Sequence, residues 1–143
     1  MMKVERTAIV PHPIDKMFEL VAGVEDYPKF LPWCSDARIL ERKGDIIQAR
    51  LFMNYLMVKQ SFTTKNTEIK NQAIHMELIE GPFRYLEGFW EFKEIKGLGC
   101  HIRLYLEYAI TKRLLVNALG RVFDTIAYTL VDAFIKEAER RYG

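Results

Sequence analysis

Cysteine is scarce in this chain. Cys34 and Cys100 are the only two among 143 residues, far apart and without CxxC spacing. That excludes a disulfide scaffold and a thiolate zinc site, and it suits a reducing compartment in which both thiols are buried packing residues. Long apolar runs are missing too: no stretch approaches the ~18 apolar residues of a membrane-crossing helix. The opening Met1–Arg6 offers neither an apolar segment nor a small-residue cleavage site, so a soluble cytoplasmic protein is expected. Charge of one sign is lacking as well. Lys and Arg number 21 against 19 Asp and Glu, a net +2 spread along the chain, which argues against DNA as a partner.

The motifs of catalysis are also absent. Histidine occurs three times: His12 sits between prolines, while His75 and His101 alternate with apolar residues and are expected to face outward. None has a Glu or Cys at metal-ligand spacing, and neither HExxH nor a nucleophile elbow appears. Gly97 and Gly99 belong to a turn and not to a phosphate loop. These patterns predict no metal, no catalytic triad and no enzyme.

What is present is apolar: half the residues are hydrophobic and 13% aromatic. That is enough for a sizeable core in one domain, residues 1–143, which buries roughly two thirds of its unfolded surface. The organising stretch is the last. From Thr111, a plausible N-cap, to Arg141, with Gly143 just beyond, apolar residues recur at steps of three and four. Leu115, Leu119, Val122, Phe123, Ile126, Leu130 and Phe134 share one face with Ala127 and Ala138 at its margin; Arg121, Thr125, Asp132, Lys136, Glu139 and Arg140 share the other. Such a helix runs roughly 45 Å, long enough to cross a whole sheet. Glu137 projects onto its buried face, with Arg141 as an i,i+4 partner, unless that last turn has left the sheet and is wet. The last third is locally basic through Lys112, Arg113, Arg121, Lys136, Arg140 and Arg141, a solvated face or a weak phosphate-binding one.

Ahead of that helix, Lys3–Val10 alternates as a strand and stops at Pro11-His12-Pro13. Asp15–Ala22 reads as a short helix ended by Gly23, and Val24–Cys34 as a second short element broken by Pro28 and Pro32. The period then becomes two. Strands are expected at Asp36–Arg42, Ile46–Tyr55, Met57–Lys65, Gln72–Ile79, Tyr85–Ile95 and Cys100–Ile110, with a Lys43-Gly44-Asp45 turn and a polar break at Asn66–Asn71. The order predicts an α+β fold: an antiparallel meander of about seven strands, two short helices after the first strand, and the long helix on one face. The inward sets are Phe62 with Gln60; Ile74, Met76 and Leu78; Leu86, Trp90 and Phe92; Ile102, Leu104, Leu106 and Tyr108. For Ile46–Tyr55 two registers stay open, Phe52 with Asn54 inward or Met53 with Tyr55.

Tyr27-Pro28-Lys29-Phe30-Leu31-Pro32-Trp33-Cys34 resembles the YP-x-FLPWC motif of the coenzyme Q-binding and ribosome-association-toxin branch of the START-domain, polyketide cyclase-like superfamily. Gly81-Pro82-Phe83 leading to Leu86, Gly88-Phe89-Trp90-Glu91-Phe92, Val131-Asp132-Ala133-Phe134 and Tyr142-Gly143 agree with it in order. Glu137-Ala138 departs, since the family usually has a basic residue before that alanine. The resemblance implies a helix-grip fold, START- or Bet v 1-like, in which a bent sheet wraps the last helix and encloses an apolar cavity.

Alone, the aromatic stripes Phe52, Phe62, Trp90, Tyr108, Phe123 and Phe134 read as core. With the resemblance they become a pocket. Trp90 and Tyr108 then give flat walls and a polar tip to a quinone-like head, and Met76, Leu78, Leu86, Leu104, Leu106, Ile126 and Leu130 sheath an isoprenoid tail. Asn54, Tyr55 and Gln60 are the nearest carbonyl partners. Phe30 and Trp33 belong to a segment that is either a lid over the pocket or a plug capping the core. The resemblance thus implies a non-enzymatic lipid binder whose bound group is ubiquinone, in support of respiration, with transient contact at the inner membrane surface. It implies equally a toxin that binds the large ribosomal subunit and blocks subunit joining, and, more remotely, a polyketide aromatase/cyclase.

Overall fold

The computed structural model describes residues 1–110 and 116–143; the expected N-cap Thr111 and the apolar Leu115 lie outside the described residues. Seven strands form one antiparallel, curved sheet in the order β1-β7-β6-β5-β4-β3-β2. They are β1 (Met2–Val10), β2 (Cys34–Lys43), β3 (Ile46–Tyr55), β4 (Val58–Ile69), β5 (Ala73–Glu80), β6 (Phe83–Ile95) and β7 (Gly99–Ile110). From β2 onward each strand pairs with its successor, as short turns require. β1 returns to pair with β7 along its whole length, from Met2 opposite Tyr108 to Val10 opposite Cys100. Two helical pieces intervene after β1: α1 (Ile14–Ala22) and a 3₁₀ turn (Val24–Lys29). The last element, α2 (Val116–Tyr142), has 27 residues and so runs roughly 40 Å across the concave face of the sheet. The expected helix-grip architecture is the one the chain adopts.

Alternation explains the sheet's inner face. Ile102, Leu104, Leu106 and Tyr108 on β7, and Leu86, Trp90 and Phe92 on β6, are all buried. Between Leu86 and Trp90 the inward position is Gly88. A Cβ there would lie 2.2 Å from the Tyr105 carbonyl oxygen and 2.6 Å from Leu106, so only glycine lets the two strands approach where the sheet bends. On α2 the residues assigned to the wet face are exposed, while Ala127 and Ala138 are fully buried within the apolar face instead of marginal, and Val131 joins them.

One expectation is corrected and one alternative is resolved. The polar break expected at Asn66–Asn71 is shorter: β4 continues to Ile69, with Asn66 between Ile47 of β3 and Met76 of β5, and the chain turns only at residues 70–72. The ladder satisfies the backbone and the inward Asn66 finds a side-chain partner in Thr64, so the polar stretch stays in the sheet. The open register of β3 resolves to Ile47, Ala49 and Met53 inward, with Phe52 and Asn54 on the opposite face. Phe52 is stabilised there by the guanidinium groups of Arg38 and Arg50, 5.0 and 5.4 Å from its ring centre, a cation–π arrangement.

Candidate functional site

Between α2 and the sheet the interior is hollow. The space open to the centre of a water-sized sphere is about 90 Å³, room for several waters or for part of a small organic ring. From α2 come Phe123, Ile126, Ala127, Leu130 and Phe134; from the sheet come Ala49, Leu51, Phe62, Thr64, Asn66, Met76, Leu86, Trp90, Leu104 and Leu106; Val24, Tyr27 and Trp33 close one side. The walls are braced by aromatic edges. Phe134 is the hub, with its centroid 5.2 Å from Trp90 and 5.3 Å from both Tyr27 and Phe30. Phe123 meets Phe62, Phe83 and Tyr108 edge-on at 6.3, 4.9 and 4.6 Å, geometries that aromatic quadrupoles favour.

Of the residues expected to bind a ligand, Trp33, Phe62, Met76, Leu86, Trp90, Leu104, Leu106, Phe123, Ile126, Leu130 and Phe134 share this wall. Five do not. Phe52 and Asn54 lie outside for the register reason given above. Tyr108 seals the end of the space behind Phe123, and its hydroxyl donates to Asp124; burial and that bond hold the phenol well above its ordinary range. Leu78 is half-buried and stops short of the cavity. Phe30 packs behind Phe134 and under the Arg141 guanidinium, 5.6 Å from its ring centre. Sequence reasoning missed Val24, Tyr27, Ala49, Leu51, Thr64, Asn66 and Ala127. Period two at β4 carried the signal for Thr64 and Asn66, both in phase with Phe62; their polarity hid it.

The lining has little to do acid–base chemistry with. Its one titratable side chain among the described residues is Tyr27, whose hydroxyl donates to the Val21 carbonyl and whose burial raises its pKa far out of range. Cys34 and Cys100 are buried, and desolvation pushes both thiols up to about 11, so they stay protonated at neutral pH. His12 is buried away from the cavity, its Nε2 3.4 Å from the Glu139 carboxylate, and His75 is exposed. Among the described residues no cluster of three or more His, Cys, Asp or Glu is placed to hold a metal, and no helix is long and apolar enough to cross a membrane.

Behind the hub lies a charged knot. Glu137, 4% exposed, accepts from Arg140 Nε and Nη2 at 2.9 and 2.7 Å and from Arg141 Nε at 2.7 Å. The hydrogen bonds from Arg140 and then Arg141 outweigh burial and lower its pKa to about 2. Arg141 also reaches Asp26 at 3.8 Å, so the last turn of α2 is tied to the 3₁₀ turn whose Tyr27 lines the cavity. Of the two readings of Glu137, the buried one holds. It stays ionised because two guanidinium groups satisfy it.

Residues 10–135 match the family model described as polyketide cyclase / dehydrase and lipid transport. The chain is 37% identical over 143 residues to the protein named ribosome association toxin RatA of Escherichia coli K12, covering all of this chain and 90% of that one. It is 30% identical over 136 residues to coenzyme Q-binding protein COQ10 homolog B, mitochondrial, of Xenopus laevis, covering 91% of this chain and 55% of that one. In fold it is similar to the Zhui aromatase/cyclase of Streptomyces sp. R1128, with a TM-score of 0.83 at 20% identity over 99% and 96% of the two chains.

Proposed function

Because the chain belongs to the polyketide cyclase / dehydrase and lipid transport family, we propose that it binds a hydrophobic small molecule without transforming it, and that the molecule is a polyprenyl quinone of the ubiquinone type. The observation that carries this reading is the lining: eighteen residues among those described, all but Thr64 and Asn66 aliphatic, aromatic or methionine, with no carboxylate, imidazole or thiol among them. Covering a ligand's apolar surface is worth about 25 cal/mol per Å² and needs no catalytic group, whereas cyclisation or dehydration needs a placed acid or base. A substituted quinone ring is larger than the present space. Loading it parts α2 from the sheet, and the half-buried Met76 and Leu130 are the softest parts of that wall.

The supply side is a bilayer surface. At the β3–β4 turn Leu56 and Met57 are exposed, Met57 at 99%, and both hold positive φ of 49° and 69°. Two bulky apolar residues in left-handed conformation at a hairpin tip are costly in water, and a membrane interface gives them a place. Native mass spectrometry of the purified protein, or organic extraction, is expected to release a quinone; a protein that emerges empty and refuses added quinone ends this reading.

A second reading is favoured by the full-length similarity to a ribosome association toxin. Here the exposed basic residues of α2, Arg121, Lys136 and Arg140, meet the large ribosomal subunit. Sedimentation with ribosomal subunits over a salt series tests it: binding should fall steeply with salt, and absence of co-sedimentation at low salt rejects it.

A further inference from the structure

The cavity wall is apolar except at one place on β4. Thr64 and Asn66 are both buried, Asn66 at 9% exposure, and both line the space. The Thr64 hydroxyl donates to Asn66 Oδ1 at 2.8 Å. That bond turns the amide oxygen toward Thr64 and so fixes which way the amide faces. Among the described residues no protein acceptor takes the Asn66 amide N–H groups, and protein does not fully enclose the amide nitrogen. An amide facing apolar walls without a protein partner is unfavourable, so an apolar side chain would serve a packed wall better. Asn66 also sits in mid-strand, in ladder with Ile47 and Met76, where the backbone has no need of its side chain.

We propose that Asn66 is the polar anchor of the cavity, donating a hydrogen bond to a carbonyl oxygen on the ring end of an otherwise apolar ligand, with Thr64 as the positioning residue that presents the amide donor-first. The proposal rests on the hydrophobic-ligand reading and adds to it the residue that holds the ligand's head. The guest carries an acceptor at its head, and an all-hydrocarbon guest is held less well. Thr64, whose hydroxyl hydrogen is committed to Asn66, sets the polarity of the pair: a donor-only ligand group, such as an ammonium, meets N–H groups and is disfavoured. The same chemistry is offered by a tailed quinone and by a fused-ring aromatic ketone, and the two differ in shape.

The chain holds only two tryptophans, Trp33 and Trp90, and both line the cavity, so intrinsic fluorescence reports occupancy directly. Three probes are titrated: a decyl-substituted benzoquinone, decylbenzene and anthraquinone. The wild-type protein is expected to bind the quinone more tightly than decylbenzene. Asn66→Leu is expected to lose about tenfold in quinone affinity while holding decylbenzene at least as well, and Thr64→Val to lose less. Tighter binding of decylbenzoquinone than of anthraquinone assigns the head to a tailed quinone; the reverse assigns it to a polycyclic ketone, and either supports the anchor. Equal quinone affinity in wild type and Asn66→Leu overturns the proposal and leaves the carrier reading standing. Failure of the wild type to bind any of the three removes both. If Asn66→Leu does not fold, the wild type decides alone. The carbonyl stretch of a ¹³C-labelled bound quinone must lie below its position in a hydrocarbon solvent, and a stretch at the solvent position overturns the anchor.

Discussion

The two halves of α2 rest on different ground. From Ile135 to Tyr142 the helix packs against protein: Ala138 is fully buried, Glu137 is clamped by two arginines, and α1 contributes the fully buried Met17 and Leu20. From Phe123 to Phe134 the same helix, with the same apolar period, faces a hollow. The difference comes from what lies opposite. At the packed end α1 and the Tyr27–Cys34 segment fill the concavity of the sheet; at the other, β3 offers Ala49 and β4 offers Thr64 and Asn66 where larger apolar groups would have closed the gap. A packed interior is close to crystal density, so a retained void beside so tight a neighbour points to use. Stability and binding therefore reside in different halves, and substitutions should separate them.

The largest effect is expected in the solid half. Ile102→Ala removes a fully buried side chain on β7 and should cost about 2–5 kcal/mol in chemical denaturation. Ala127→Phe in the hollow half should do the reverse. It fills the space, changes stability by about 1–3 kcal/mol at most, and abolishes quinone binding. If Ala127→Phe binds as the wild type does, the ligand site is elsewhere.

A smaller effect belongs to the knot that joins the halves. The Glu137 carboxyl has a folded-state pKa of about 2, below its unfolded value near 4.3. A depressed acid contributes stability that is present above the unfolded pKa and is lost as pH falls toward the folded one. Stability should thus decline between about pH 4.5 and pH 2, and Glu137→Gln should flatten that part of the profile while lowering stability at pH 7 by about 1–2 kcal/mol. An unchanged acid limb in Glu137→Gln would show that other carboxylates govern it.

Much of this architecture is legible in the chain. Clean alternation on β1, β6 and β7 has only one register that buries apolar groups, and the three-and-four spacing on α2 has only one face. The Tyr27–Cys34 segment carries its own constraint in two prolines, although it proves to be wall and plug together: Tyr27 and Trp33 line the cavity, while Leu31 is fully buried and Phe30 braces Phe134. Where both faces of a strand are apolar, as in β3, periodicity cannot choose, and the outward choice of Phe52 depended on two arginines from β2 and β3 coming together over it. The void was beyond reach for a different reason. Spacing says which residues meet, not whether the space between them is full. Asn66 was lost because a polar residue in phase with Phe62 looks like a strand end until the neighbouring strands are known to continue past it.

The smallest expected change in stability sits at the hairpin tip, and its sign is the informative part. A two-residue turn with positive φ at both positions is the place for Asn-Gly, yet β3–β4 carries Leu56-Met57 there, with Met57 wholly in solvent. Leu56→Asn with Met57→Gly should relieve the left-handed conformation and stabilise the protein by about 0.5–1 kcal/mol. If the tip exists to touch lipid, the same double variant should weaken binding to anionic phosphatidylcholine–phosphatidylglycerol vesicles and slow quinone uptake from them, while leaving affinity for quinone dispersed in solution unchanged. A gain in stability together with slower transfer would mean that the turn tolerates strain because membrane contact needs those side chains. A gain in stability with unaltered vesicle binding would separate the turn from ligand loading and leave the carrier without this point of membrane contact.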